Sequence, residues 1–151
     1  MSAAVGRIGP CAPTVVRRRV KWGECDPAGV VYTPRFADYV VEAYLAFFES
    51  RFGAPPRERL APLNLGMPAK ALSIVFKQSL WPDQMFEMSV EVAEVRTRTF
   101  DLRVVGSVDE RVAFDAIISL ICIETELRQA RPLPDFVREE LVRCREQQEL
   151  P

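Results

Sequence analysis

The segment FADYVVEAYLAFF, residues 36–48, constrains the fold more than any other part of the chain. Thr33 suits an N-cap and Pro34 a first helical turn, while Gly53, followed by Pro55 and Pro56, ends the helix. Between Phe36 and Phe48 only Asp38 and Glu42 are charged, and with Glu49 they form one narrow stripe. A helix that is apolar almost all round must be enclosed by other structure.

The enclosing material reads as strands. Residues 14–22 alternate, with Arg17, Arg19 and Lys21 on one face and Val16, Val20 and Trp22 on the other. Residues 54–68 are a Pro-rich loop with one helical turn around Arg57 to Leu60. From residue 69 the period becomes two: Leu72, Ile74, Phe76, Gln78 and Leu80 alternate with Ser73, Val75, Lys77 and Ser79. A turn at 81–84 leads to Phe86, Met88, Val90 and Val92, alternating with Glu87, Ser89 and Glu91. Residues 99–108 and 112–124 are two more strands about a turn at 108–111, and the latter is apolar enough to be central or at an interface. These four strands predict an antiparallel meander. Residues 134–150 predict a charged surface helix, weakly anchored by Phe136, Leu141 and Cys144, that lies outside or frays. The fold class is α+β, a long central helix wrapped by a curved antiparallel β-sheet. Residues 1–13 read as a disordered leader and 14–151 as a single domain ending in that C-terminal helix.

Composition removes several functions. The chain has 151 residues and no histidine, which excludes Ser-His-Asp and Cys-His catalysis and His-based zinc sites. No metal or cofactor is expected. A net charge of −1 gives no reason to expect nucleic acid, and no apolar run approaches the ~20 residues of a membrane span. Cys11, Cys25, Cys122 and Cys144 have no C-x-x-C spacing and, with no signal segment in view, predict reduced thiols in a cytoplasmic protein.

Chemistry concentrates in WGECDPAGVVYTPRF, residues 22–36. Cys25 lies between Glu24 and Asp26, which raise a thiol pKa, so it reads as packing. Asp26-Pro27-Ala28-Gly29 is on its face an ordinary turn, but it ends at a helix N-terminus, where free N–H groups stabilise anions. A thioester carbonyl under attack fits such a pairing. Each N–H that holds the oxyanion contributes on the order of 3 kcal/mol. A thiolate leaves without a general acid, so the reaction is feasible without histidine. The carboxylate then acts as general base, if burial raises its pKa, or as the nucleophile, which is the favoured role.

The same run resembles the signature of the hot-dog-fold 4-hydroxybenzoyl-CoA thioesterase family, aromatic-Gly-acid-Cys-Asp-Pro-Ala-Gly-Ile-Val-aromatic-x-Pro-x-aromatic. The likeness continues, more weakly, through Gly66-Met67-Pro68 and Arg96-Thr97-Arg98-Thr99-Phe100. It implies Asp26 as the catalytic carboxylate and the Thr33 backbone N–H as the group polarising the carbonyl. Gly29 and Tyr32 would shape the acyl site, and Arg96 and Arg98 would lie near the CoA phosphates. It implies an aromatic or short-to-medium acyl-CoA as substrate and a homodimer or homotetramer with sites at subunit interfaces. Thr33 stands where characterised aromatic-acyl members carry an aromatic, so the pocket is expected to differ. Acyl carrier protein is the alternative carrier, and a non-catalytic module binding acyl thioesters is the alternative of a different class.

Overall fold

The computed structural model describes residues 13–150, and the expected leader lies, Pro13 apart, outside the described residues. The elements run β1 (Thr14–Arg19), α1 (Arg35–Phe52), α2 (Pro56–Leu60), β2 (Leu65–Gly66), β3 (Ala69–Phe76) and β4 (Met85–Val95). They continue with β5 (Thr99–Val108), β6 (Arg111–Ile121), β7 (Ile123–Glu124) and α3 (Asp135–Gln148). Among the described residues no helix is long and apolar enough to cross a membrane.

Five strands form one antiparallel sheet in the order β1-β4-β5-β6-β3, and β2 pairs with β7 beside it. The period of two in β4, β5 and β6 turns Phe86, Met88, Val90, Leu102, Phe114 and Ile118 inward. Against them α1 buries Phe36, Tyr39, Val40, Ala43, Phe47 and Phe48, so the helix is enclosed as its composition requires. Gly53, in the left-handed region at φ 84, ends it.

Three expectations need correction. β3 does not form a hairpin with β4. It pairs with β6 at the far edge, Phe76 opposite Phe114, and only β4, β5 and β6 make a meander. The turn at 81–84 is real, but its partner is β1: the Asp83 N–H donates to the Val20 carbonyl and the Val20 N–H to Gln84, both at 2.9 Å. Trp22 leaves the buried face and is 70% exposed, because the chain coils into a single turn at Trp22–Glu24 after β1 ends. Arg18 takes the inner row with Val16 and Val20 instead, half-buried.

Nor does α3 fray. Val137, Leu141 and Cys144 are fully buried, and Arg145 pairs with Glu94 at 2.9 Å. Its last turn meets a bulge in β4 between Val92 and Glu94. There the Gln148 amide donates to the Val92 carbonyl (2.9 Å) and accepts from the Val92 N–H (3.0 Å), a two-way clasp that ties the end of α3 to β4.

The start of α1 is fixed by aromatic packing. The Phe36 ring meets Phe76 at 5.0 Å and Phe114 at 5.4 Å, both edge-on. Phe114 lies across Gly106 of β5, where an added Cβ would fall 2.1 Å from the ring. Gly106→Ala is therefore expected to cost about 1–3 kcal/mol by overpacking and to disturb the helix start through Phe114 and Phe36. An unchanged midpoint in urea unfolding would refute this.

Candidate active site

Residues 25–31 form a tight hairpin. Cys25 and Val31 face each other as a β-bridge, the Asp26 N–H donates to the Val30 carbonyl (3.0 Å) and the Gly29 N–H to the Asp26 carbonyl (2.9 Å). Gly29 has φ 86, and a Cβ there would meet no atom within 4 Å, so the backbone conformation alone calls for glycine. The Ala28 N–H donates to Asp26 Oδ1 at 2.9 Å, which orients the half-buried carboxylate. Oδ2 has no hydrogen-bond partner among the described residues.

The hairpin is tied down on two sides. The Val31 N–H donates to the fully buried Leu80 and the Tyr32 N–H to the Glu24 carbonyl, each at 2.9 Å. The segment entering α1 thus runs beside the residues that precede Asp26. The helix begins later than Thr33, which makes no side-chain cap; Pro34 takes the cap position. The approach winds in tighter turns, with the N–H groups of Arg35, Phe36 and Ala37 donating to Tyr32, Thr33 and Pro34. Most of the N–H groups expected to be free are therefore engaged. The Thr33 N–H is not: it has no partner among the described residues, and Thr33 is an exposed residue. Tyr32 is half-exposed next to it.

Glu24 braces the loop from behind. Its carboxylate accepts from Arg18 Nη1 (2.7 Å) and Nη2 (2.5 Å), the Lys21 N–H (2.8 Å) and the Tyr39 hydroxyl (3.0 Å). Arg18 also reaches Glu42 of α1 at 2.6 Å and lies over the Tyr39 ring, 4.5 Å from its centre. Burial alone would raise the Glu24 carboxyl, but the hydrogen bonds from Arg18, Lys21 and Tyr39 outweigh it and hold the group below the ordinary glutamate range. This network joins β1, the loop and α1. Reading residues 14–22 by charge alone missed it, although Arg18 shares strand parity with Val16 and Val20.

Burial and then the charges of Glu24, Asp26 and Asp83 push the Cys25 thiol up, as expected for a packing residue. Cys25 and Cys122 are free thiols, whereas Cys144 is disulfide-bonded, so the expectation of four reduced cysteines fails there.

Arg96 and Arg98 are not near Asp26 in this chain. The Asp26 hairpin leans on Leu80, shortly before β4, and the two arginines follow the far end of that 11-residue strand. Arg96 is also engaged, in a bidentate pair with Asp101 at 3.0 Å. The Arg98 side chain has no partner among the described residues.

At that far end lies a cavity of about 710 Å³ that sequence reading did not foresee. Val41 and Leu45 of α1, Met67, Leu65, Ile118 and Ile123 give it apolar walls, and Arg57 and Arg128 also line it.

Residues 20–141 match the family model of the thioesterase-like superfamily. The chain belongs to that superfamily. It is a thioester hydrolase with the hot-dog α+β fold. A thioesterase-superfamily structure from Jannaschia sp. CCS1 superposes with a TM-score of 0.81 at 24% identity, covering 87% of this chain and 92% of that one. A 1,4-dihydroxy-2-naphthoyl-CoA thioesterase from Synechocystis gives 0.78 at 20% identity, covering 87% and 96%. A gentisyl-coenzyme A thioesterase gives 0.75 at 23%, covering 85% and 99%. A search of curated proteins returns no match. Within the thioesterase-like superfamily, likenesses at this identity speak to fold, and the substrate has to be argued from the site.

Proposed function

We propose that the protein hydrolyses acyl-CoA thioesters, with Asp26 as nucleophile or general base and the Thr33 N–H as oxyanion donor. What supports this reading is the pinned hairpin, whose Asp26 carboxylate keeps one unengaged oxygen, followed seven residues on by the Thr33 N–H, which is left unbonded among the described residues at the helix entrance. A donor aimed at the developing oxyanion acts most strongly when no other acceptor competes for it. Gly29 supplies the turn, and the half-exposed Tyr32 borders the acyl site.

The working unit is at least a homodimer. β3 is an edge strand whose outer side is bare, with Leu72, Val75 and Phe76 exposed and Lys70 its only charge. Edge strands that stay single are normally blunted by charge, proline or bulges, and β3 is barely protected. Antiparallel pairing of two such edges about a twofold axis would set the Phe76 end of one chain, near Asp26, against the Ala69 end of its partner, near the cavity. This would also bring Arg98 of a second copy toward a substrate that the same chain's Arg98 cannot reach.

The test is a hydrolysis panel of aroyl-, short-, medium- and long-chain acyl-CoA thioesters, with acyl carrier protein thioesters and an oxygen ester alongside. Turnover of CoA thioesters with inertness toward the oxygen ester is expected. Preference for the carrier-protein thioesters would transfer the reading to that carrier. Inertness toward every thioester would leave a binding module.

A further inference from the structure

The cavity beside α1 is built for a ligand that is apolar along its length and negatively charged at one end. Its walls are mainly aliphatic, and Val41 and Leu45 remain 38% and 42% exposed beside it. They continue a row from Ala37 at four-residue spacing, so one face of α1 leads from the turns that follow Thr33 down to the cavity. Val41 lies six residues along α1 from its first residue, Arg35, roughly 9 Å, with the Thr33 N–H just before that, a span suited to an extended chain of about ten heavy atoms or a little more.

Two cations meet this apolar surface. Arg57 projects from α2, and Arg128 from the turn after β7. Neither guanidinium has an ion pair or hydrogen bond among the described residues, unlike Arg17, Arg18, Arg96, Arg103 and Arg145. Arg128 is also held in the left-handed region at φ 54, uncommon for a side chain of its size. The turn that imposes this is firmly closed. The Glu124 carboxylate accepts from the Leu127 and Glu126 N–H groups (2.6 and 3.1 Å), and Ile123 bridges Ala130. Unpaired arginines set at an apolar cavity suit a carboxylate or phosphate, which the guanidinium fork can receive in a bidentate manner.

We infer that this cavity binds the anionic end of an amphipathic acyl thioester, with Arg57 and Arg128 as the receiving cations. The inference rests on the thioesterase reading above. The anion is a carboxylate at the far end of the acyl chain, and the apolar walls take the chain between thioester and charge.

Calorimetric titration of the intact protein with decanoate, decan-1-ol and free CoA tests this, with an Arg57→Gln/Arg128→Gln variant in parallel. Both arginines are exposed, so the variant is expected to fold. Decanoate affinity at least tenfold weaker in the variant, with decan-1-ol unchanged, supports the proposal and assigns the anion to the acyl group. A tenfold loss for free CoA alone would overturn it and give the arginines to the CoA phosphates, because the pantetheine arm, with two amides and a hydroxyl, is not the apolar chain the walls require. Affinities indifferent to the substitutions would overturn it. So would absence of binding together with dissociation of the oligomer by Val41→Glu, which would give the cavity to a second copy. Arginine-dependent binding by a protein that hydrolyses none of the panel would leave this site standing while the thioesterase reading fell.

Discussion

Asp26→Asn is expected to lower kcat for thioester hydrolysis by about a thousandfold while leaving the fold and substrate affinity nearly intact. An asparagine keeps an oxygen that can accept the Ala28 N–H, so the turn that orients residue 26 survives. The backbone bonds closing the hairpin, from Asp26 to Val30 and from Gly29 to Asp26, do not involve the side chain. What the amide lacks is the negative charge needed either to attack the carbonyl or to accept a proton from water. Because the site has no histidine to take over, little residual base catalysis is expected. The measurement is steady-state hydrolysis of the best thioester in the panel, with circular dichroism to verify folding. Undiminished kcat in a folded Asp26→Asn protein would sink the catalytic assignment.

Features set by local chemistry were legible in the sequence, and those set by distant partners were not. The enclosed helix followed from the near-absence of charge over residues 36–48, because burial is a property of the segment's own surface. The Asp26 turn followed from Asp-Pro-Ala-Gly chemistry and a glycine at positive φ. β3 was recognised as a strand but assigned the wrong neighbour, since alternation marks a strand and carries no information about which strand it joins. The same limit explains Arg96. Its cationic character was visible, whereas its capture by Asp101 depends on how β5 returns beside the end of β4. The cavity needed α1, the 55–69 loop and β6 to be assembled before it existed.

The bracing behind Asp26 leads to a second large effect. Arg18→Met keeps an apolar stem to pack on Tyr39 but removes the cation that bridges Glu24 and Glu42. The Arg18 and Glu24 side chains are only 15% and 13% exposed, so an abandoned carboxylate there is poorly solvated. A loss of about 2–4 kcal/mol is expected at neutral pH, lowering Tm by about 5–12 °C. The pH dependence identifies the cause. In the native protein the folded Glu24 carboxyl lies below its unfolded value. Its stabilisation is therefore whole above the ordinary glutamate range, near ~4.3, and falls away as pH drops through the lower folded value. Without Arg18, two of the causes that lower the folded value are gone and burial still opposes the charge, so the variant has less of this stabilisation to lose on acidification. The Tm gap between native and variant proteins should accordingly shrink between pH 7 and pH 4. Adding Glu24→Gln to Arg18→Met should recover part of the loss, because a neutral amide in that position leaves no buried charge unpaired. An equal gap at both pH values, or a further fall in the double variant, would show that Arg18 contributes through packing alone.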